Sequence, residues 1–224
     1  MKILYIANIR LPTEKAHGVA IMKMCAAFVR AGVCVGLVVA RRYTTLPGDP
    51  HTVYEVNQRF PVTYLPVLDL FPVQWVRRSI AFTLETFTFY ISLTFWLVWR
   101  SRQNLIYTRD ITAIFYAFLG FKVIYECHAL SRWRRVFFFL ARRADRVIVI
   151  SEALKQAFLR EGFHEEGVLV APSGVDVELF GSSISKEDAR VMLGIPSKQF
   201  LAVYTGAFTT MGADKGIYDA FEAL

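Results

Sequence analysis

The stretch ADRVIVISEALKQAFLREG at residues 144–162 shows the pattern that decides the fold. Four apolar residues, Val147–Ile150, form a continuous run that leads directly into Ser151 and Glu152, and residues 152–161 then have helical potential. A short, continuous run rich in Val and Ile is typical of a strand that is buried on both faces of a parallel sheet. The stretch therefore predicts one strand–loop–helix unit of an α/β protein.

The same unit recurs along the chain. Seven further apolar runs are predicted to be strands: Ile3–Ala7, Val33–Ala40, Val62–Val67, Leu105–Tyr107, Val123–Tyr125, Val168–Val170 and Phe200–Tyr204. Further segments with helical potential are 18–31, 73–100, 111–119, 132–144, 185–195 and 214–223. Strands that alternate with helices predict an α/β fold with a doubly wound, Rossmann-like parallel sheet. In such folds ligands bind beyond the carboxyl ends of the strands.

The chain is predicted to carry one complete domain and the start of a second. The stretch VAPSGVDVELFGSS at residues 170–183 ends the first alternating region, because its Pro, Gly and Ser residues are typical of loops. The predicted boundaries are 1–180 for the first domain and 181–199 for a linker with a short helix. Residues 200–224 are predicted to be the first strand–helix unit of a truncated second Rossmann-like domain.

Composition limits the class of protein. Of the 224 residues, 54% are hydrophobic, which is enough for a substantial core. The three cysteines, Cys25, Cys34 and Cys127, lie in apolar segments without the spacing of metal ligands, which indicates buried, reduced thiols in a cytosolic protein. No metal site is predicted.

The net charge of +7 comes largely from clustered arginines, including several in residues 132–146. Arginine clusters suit phosphate groups or anionic lipid. No recognisable nucleic-acid-binding module accompanies them, so nucleic acid is not an expected partner. For any single arginine, ordinary solvated charge is the alternative.

Residues 79–99, SIAFTLETFTFYISLTFWLVW, are long enough to span a bilayer and contain one charge, Glu85. Polar residues interrupt the segment, and a spanning helix would interrupt a sheet that continues on both sides of it. The segment is therefore interpreted as a buried or partly membrane-facing helix of a soluble domain. Weak contact with anionic membranes is expected through residues 132–146, with the 79–99 helix as a second candidate. In residues 132–146, Trp133 and Phe137–Phe139 offer apolar anchors, and packing of these phenylalanines into the core is the alternative.

Five stretches carry a resemblance to a known family. They are MKILYIAN with the following HGVAIMKMCAAFVRAG, ECH at 126–128, ADRVIVISEAL at 144–154, PSGVDVELF at 172–180, and VYTGAF with the following DKG. The chain resembles the retaining glycosyltransferases of family 4, which have the GT-B fold. Ser173 stands where the family carries an asparagine, and Ala207 stands where an arginine often follows the glycine.

The resemblance implies transfer of a sugar from a nucleotide diphosphate donor to a cell-envelope polysaccharide or glycolipid acceptor. The nucleotide sugar is a co-substrate, and no other cofactor and no metal are implied. The reduced cysteines indicate a cytoplasmic location, and the expected contact with anionic membranes extends it to the inner face of the plasma membrane. Family members bind the acceptor mainly on the first domain and the donor nucleotide mainly on the second. This chain is therefore expected to be an incomplete form that is inactive alone.

The resemblance also assigns candidate site residues. His128 is the catalytic candidate, because a histidine at this place contacts the transferred sugar in the family; a satisfied structural histidine is the alternative. The substrate-binding candidates that match the family's motifs are Gly18, Glu126, Ser151, Glu152, Gly206 and Lys215, and Arg109 is a further candidate because its loop is predicted to rim the cleft. Lys215 is expected to neutralise the donor diphosphate as it leaves. Arg109 is expected either to hold an acceptor phosphate or carboxylate or to form a salt bridge with Asp110 or another acid.

Two other classes of protein were weighed against a transferase. A non-catalytic Rossmann-like binding or assembly domain is compatible with the sequence, because half of a cleft cannot transfer a sugar efficiently. A Rossmann oxidoreductase is disfavoured, since no GxGxxG motif follows any predicted strand.

Overall fold

The computed structural model describes residues 2–181, 184–206, 208–210 and 213–223. They divide into two compact units, Met1–Ser173 and Gly174–Leu224. The strands of the first unit are β1 (Ile3–Ala7), β2 (Val35–Arg41), β3 (Val62–Pro66), β4 (Leu105–Thr108), β5 (Lys122–Cys127), β6 (Arg146–Val149) and β7 (Val168–Val170). They form one parallel sheet in the order β3-β2-β1-β4-β5-β6-β7. The predicted doubly wound parallel sheet is confirmed.

Helices cover both faces of this sheet. They are α1 (Ala16–Arg30), α2 (Pro50–Val53), α3 (Arg78–Val98), a 3-10 helix (Ile111–Leu119), α4 (Arg134–Ala141), α5 (Glu152–Arg160) and a short 3-10 turn (Glu165–Gly167). The core cluster on one face contains α1 and the segment after α2, and the cluster on the other face contains α3, the longer 3-10 helix, α4 and α5. Cys25 and Cys127 are buried in these clusters, but Cys34, just before β2, is exposed, so the expectation of a buried thiol is wrong for Cys34.

Alternation along each strand supplies both clusters. In β1, Leu4 and Ile6 pack on the α3 side, whereas Ile3 and Tyr5 pack on the α1 side. Side chains of a strand point alternately to opposite faces, so a strand that is covered on both faces must be apolar throughout. This requirement explains the continuous apolar runs that revealed the sheet in the sequence.

Helix α3 packs one stripe of side chains on the sheet. The buried positions are Ala81, Glu85, Phe89, Leu93 and Leu97, each four residues after the last. Over the described residues, this 21-residue helix is the one segment long and apolar enough to cross a membrane, and 28% of its most apolar window is buried inside the protein. One face of α3 is therefore packed into the folded unit, and the opposite face is exposed to solvent.

The phenylalanines of α4 were expected either to anchor the protein in a membrane or to pack into the core. Phe137 and Phe138 are 3% and 1% exposed and lie in the core cluster, so the core alternative is right for these two side chains. Trp133 and Phe139 are exposed. The residues that can reach a surface partner are thus fewer on α4 than the sequence suggested.

The second unit contains short elements. They are α6 (Val177–Phe180), α7 (Lys186–Met192), β8 (Thr209–Thr210), β9 (Ala213–Asp214) and α8 (Ile217–Glu222), with β8 and β9 pairing antiparallel. The Ser185 side chain caps α7 by accepting a hydrogen bond from the Asp188 amide at 3.0 Å.

The predicted strand Phe200–Tyr204 is wrong. These residues lie in neither a strand nor a helix, and Phe200 and Val203 are exposed. A parallel strand of a doubly wound sheet is held by hydrogen bonds from strands on its flanks. The described part of the second unit offers no such neighbour, so an apolar run alone does not form a strand here.

Candidate active site at the carboxyl edge of the sheet

Three candidate residues meet at the carboxyl ends of β4 and β5. Arg109 follows β4 directly, Glu126 lies near the end of β5, and His128 follows β5 directly. The two strands are neighbours with Thr108 opposite Tyr125, so Arg109 comes level with Glu126. This edge is where ligands bind in doubly wound sheets.

Glu126 is the centre of the group. The residue is 4% exposed, and its carboxylate accepts hydrogen bonds from Tyr107 Oη at 2.7 Å, Arg109 Nη2 at 2.9 Å and His128 Nε2 at 2.7 Å. Burial by itself raises the pKa of Glu126, but the hydrogen bonds from Arg109, Tyr107 and His128 outweigh burial and hold the pKa below its ordinary value. The carboxylate is therefore ionised at neutral pH although it is buried.

One ring nitrogen of His128 is held by a hydrogen bond, and the other has no partner in the described part of the chain. Because an ionised carboxylate only accepts hydrogen bonds, Nε2 must carry a proton where it faces Glu126. In the described part of the chain no group hydrogen-bonds to Nδ1, and 36% of the side chain is exposed. Nδ1 is thus the ring nitrogen that is available to a ligand hydroxyl group at the sheet edge.

Arg109 pairs with Glu126 rather than with Asp110. The Asp110 carboxylate instead accepts from the Thr112 amide at 3.3 Å and caps the 3-10 helix. Arg109 Nε and the Tyr5 hydroxyl are both buried with no hydrogen-bond partner among the described residues. Burial raises the pKa of Tyr5 far above its ordinary value, so its hydroxyl remains a neutral donor. The salt-bridge alternative for Arg109 is thus realised, while its contact with an acceptor stays a prediction.

Gly18 lies in the first turn of α1 and is buried. A Cβ atom at this position would lie 2.5 Å from Tyr54 Oη and 2.6 Å from Thr13 Cγ2. The Tyr54 hydroxyl accepts from the Thr13 amide at 2.6 Å and donates to the Thr13 carbonyl at 2.7 Å, which pins the loop between β1 and α1. Glycine is needed here for close packing, and substrate contact at Gly18 stays a prediction.

The loop between β1 and α1 also makes the edge electropositive. Burial is the main reason that the pKa of His17 is lowered, and the charges of Lys15, Arg109 and Arg10 lower the pKa further. The sequence reasoning did not single out His17, and nothing in its local pattern marks it. Its environment shows that cationic side chains from the loop and from β4 act on the same region, which favours an anionic ligand.

Ser151 and Glu152 follow β6, the next strand along the same edge. Ser151 Oγ caps α5 by accepting from the Leu154 amide at 3.3 Å, and Glu152 Oε1 accepts from Gln156 Nε2 at 2.9 Å. Both side chains are therefore engaged in hydrogen bonds with residues of α5. Neither shares a hydrogen bond or an ion pair with the Glu126 group among the described residues.

Gly206 and Lys215 belong to the second unit. Gly206 has φ +142°, a conformation that favours glycine. The Lys215 amide donates to the Phe208 carbonyl at 3.2 Å, and its side chain is exposed. Ala207, which stands where the family often has an arginine, lies outside the described residues. The donor-binding roles of Gly206 and Lys215 stay predictions.

Tyr107 is the site residue that the sequence reasoning missed. It was interpreted only as part of a strand, yet its hydroxyl donates to Glu126 Oε2, and its pKa is raised by burial and by the Glu126 charge. A tyrosine two residues before Arg109 was the available signal. Within the described ranges, His, Cys, Asp and Glu side chains form no group of three that could hold a metal ion.

Solved structures with this fold are GT-B proteins. Anabaena HepE in complex with UDP-glucose is 20% identical with a TM-score of 0.54, and the match covers 87% of this chain and 50% of that chain. The lipopolysaccharide outer core galactosyltransferase WaaB is 14% identical with a TM-score of 0.54, covering 79% and 47%. UDP-GlcNAc 2-epimerase from Neisseria meningitidis, bound to UDP-GlcNAc, is 12% identical with a TM-score of 0.51, covering 76% and 45%. At these identities the likeness shows the fold alone.

The fold and the polar group at the carboxyl edge thus define a Rossmann-like domain of the GT-B type. A sequence profile of Glycosyltransferase Family 4 matches residues 18–179, which is most of the chain, and the chain belongs to this family. The chain spans about half the length of HepE and WaaB. No curated protein matches the sequence.

Proposed function

We propose that the chain is the acceptor-side part of a retaining glycosyltransferase, which transfers a sugar from a nucleotide diphosphate donor to a cell-envelope polysaccharide or glycolipid. One observation carries the proposal: in a family 4 chain, a buried ionised carboxylate, Glu126, orients the half-exposed imidazole of His128 at the edge of the sheet where ligands bind.

The proposed chemistry follows from the charges. In the transition state positive charge develops on the sugar and negative charge develops on the departing diphosphate. Glu126 fixes Nε2 of His128, which leaves Nδ1 as the ring nitrogen that forms a hydrogen bond with a sugar hydroxyl group. On the donor side, Lys215 is the proposed cation for the diphosphate.

The proposed substrates rest on the family and on the polar edge. The complexes of HepE with UDP and UDP-glucose support a nucleotide sugar as donor. WaaB acts on the lipopolysaccharide outer core, which supports a glycan or lipid-linked acceptor of the cell envelope. The proposed location is the cytoplasm, with peripheral contact at the inner face of the plasma membrane.

Sugar transfer by the complete gene product that contains this chain tests the proposal. Labelled nucleotide sugars with different bases are incubated with lipid-linked glycans and with polysaccharide, and labelled product is measured. The expected result is transfer from one donor with the anomeric configuration retained. If the complete protein binds a glycan or a partner protein but transfers no sugar from any donor, the binding or assembly domain is the correct account.

A further inference from the structure

The outward stripe of α3 is apolar although it faces solvent. Ile80, Phe87, Ile91, Phe95 and Val98 follow one another at intervals that keep them on one side of the helix, away from the buried stripe, and their exposed fractions run from 40% to 70%. A helix that packs one face on a core normally carries polar residues on its opposite face. Both faces of α3 are apolar. The outer face has the composition of a buried surface, but no described part of the chain covers it.

The apolar surface continues onto the neighbouring elements. The hydroxyl groups of Thr94 and Tyr116, on α3 and the 3-10 helix, lie 3.0 Å apart. Arg143, just after α4, lies over the rings of both Phe118 and Phe139. We call the following exposed residues the outer apolar face: Ile80, Phe87, Ile91, Phe95, Val98, Phe115, Phe118, Leu119, Val136 and Phe139. Contiguous exposed apolar surfaces of this kind mark interaction sites.

Arginines surround the outer apolar face, and acids are absent from it. Arg77 and Arg78 lie at the start of α3. After its end, Arg100 lies 4.4 Å above the Trp96 ring, and Arg143 lies 4.9 Å above the Phe118 ring. Within the described segments α3, the 3-10 helix and α4, the one acid is Glu85, and it is turned into the core with 0% exposure. The partner that this charge pattern fits is anionic.

We propose that the outer apolar face docks in the plane of an anionic lipid bilayer. Apolar side chains that are ringed by arginines are the composition of an interfacial surface, because the side chains enter the acyl boundary while the guanidinium groups reach the phosphates. The inference does not depend on the proposed sugar transfer, because lipid binding is measured without any substrate.

Helix α3 lies along the membrane and does not cross it. Phe89 and Leu93 are fully buried against the sheet, Ser92 Oγ donates to the Pro66 carbonyl at 2.6 Å, and Thr88 Oγ1 accepts from the Leu68 amide at 2.9 Å. A spanning orientation would break all of these contacts and expose the core of the sheet. Docking in the plane keeps them and covers only the outer apolar face.

Co-sedimentation of the 224-residue chain with vesicles tests the docking surface. Binding is expected to phosphatidylcholine vesicles that contain phosphatidylglycerol, to weaken as salt rises to physiological strength, and to be much weaker with phosphatidylcholine alone. Phe87→Gln with Phe95→Gln should lower the partition coefficient by about tenfold or more. The matched control is Leu169→Gln, since Leu169 is exposed on β7 and its neighbour Val168 points to the α3 side. The control should bind like the wild type.

Charge is tested separately. Arg100→Gln with Arg143→Gln should lower binding to anionic vesicles by about tenfold at low salt, whereas Arg30→Gln, on α1 across the sheet, should not. Circular dichroism melts establish that every variant is folded. The proposal is overturned if the wild type does not bind anionic vesicles at low salt, or if Phe87→Gln with Phe95→Gln binds as well as the control. It is also overturned if the wild type is a dimer that these two substitutions dissociate.

The orientation has its own measurement. Trp99 ends α3 and is 86% exposed. In a variant whose other tryptophans are replaced by Phe, lipids brominated near the headgroup should quench Trp99 fluorescence more strongly than lipids brominated near the bilayer centre. In a background in which the exposed Cys34 is replaced by Ser, an impermeant thiol reagent outside sealed vesicles should react with Ile80→Cys and with Val98→Cys to the same extent. Opposite accessibility of the two ends would show a spanning helix and overturn docking in the plane.

Discussion

The carboxylate of Glu126 holds the imidazole of His128 through a 2.7 Å hydrogen bond between Oε1 and Nε2. The two residues are separated by one position at the end of β5, so the extended backbone places them on the same side of the chain. The arrangement turns one ring nitrogen inward and leaves the other open. It is the local geometry on which the proposed function depends.

Glu126→Gln is expected to destabilise the protein at neutral pH by about 3 kcal/mol, because Arg109 loses its buried charged partner. The lowered pKa of Glu126 means that its stabilising contribution is present above its unfolded pKa and is lost as the pH falls through its folded pKa. Urea denaturation between neutral and acidic pH should therefore show a gap between wild type and variant that narrows in acid. Tyr107→Phe, which removes one hydrogen bond, should cost about 1 kcal/mol. If Glu126→Gln is as stable as the wild type at neutral pH, the description of Glu126 as a buried ionised partner of Arg109 is wrong.

Gly18→Ala is expected to lower the free energy of unfolding by about 2 kcal/mol, since the new methyl group meets Tyr54 Oη and Thr13 Cγ2 well inside contact distance. Removing the hydroxyl group with Tyr54→Phe should make the same Gly18→Ala change less costly. A double-mutant cycle measures this coupling. Equal costs of Gly18→Ala in both backgrounds would show that Tyr54 does not set the requirement for glycine.

Glu85→Gln is expected to stabilise the protein at neutral pH. Burial raises the pKa of Glu85 and outweighs the Arg42 charge and the hydrogen bonds from Asn8 and Thr86. The protonated carboxyl group therefore stabilises the fold below its unfolded pKa, and this contribution is lost as the pH rises through the folded pKa. Glutamine avoids the buried charge, so we expect a gain of about 1 kcal/mol near pH 7 and none near pH 4. Exposed Glu166→Gln is the control and should change stability at neither pH; a loss in Glu85→Gln near pH 7 would contradict the assignment.

The sheet could be predicted from the sequence because burial on both faces demands continuous apolar strands. All seven strands of the first unit were found in this way. The same rule failed at residues 200–204, where an apolar run has no flanking strand in the described second unit. Hydrophobicity predicts that a segment can be buried in a sheet, but pairing partners decide whether it becomes a strand.

Only the part of the site that lies within one short stretch of sequence could be predicted. His128 and Glu126 were linked in the sequence by their spacing at a strand end. The contact of Arg109 with Glu126 depends on β4 and β5 being neighbours in a fixed register, which no local pattern contains. Tyr107 was missed for the same reason, and the buried phenylalanines of α4 were not separable from the exposed ones by composition.

The 224-residue chain alone is expected to transfer no sugar. The Glu126 group lies in the first unit, whereas the predicted diphosphate cation Lys215 lies in the second, whose described elements are short. Transfer requires donor and acceptor to be held together in a closed site. Release of nucleotide from labelled nucleotide sugars is the measurement, with the complete gene product as the positive control. Sustained turnover by the chain itself would contradict this expectation.

The turnover of His128→Ala in the complete gene product, compared with its melting temperature, tests the central claim most directly. His164→Ala is the matched control, because His164 is exposed at the amino edge of β7, away from the Glu126 group. The account predicts that His128→Ala loses kcat by about a hundredfold or more while its melting temperature stays close to that of the wild type, and that His164→Ala keeps both. If folded His128→Ala turns over like the wild type, or if it loses activity only in proportion to the protein that has unfolded, His128 is structural and the proposed site is wrong.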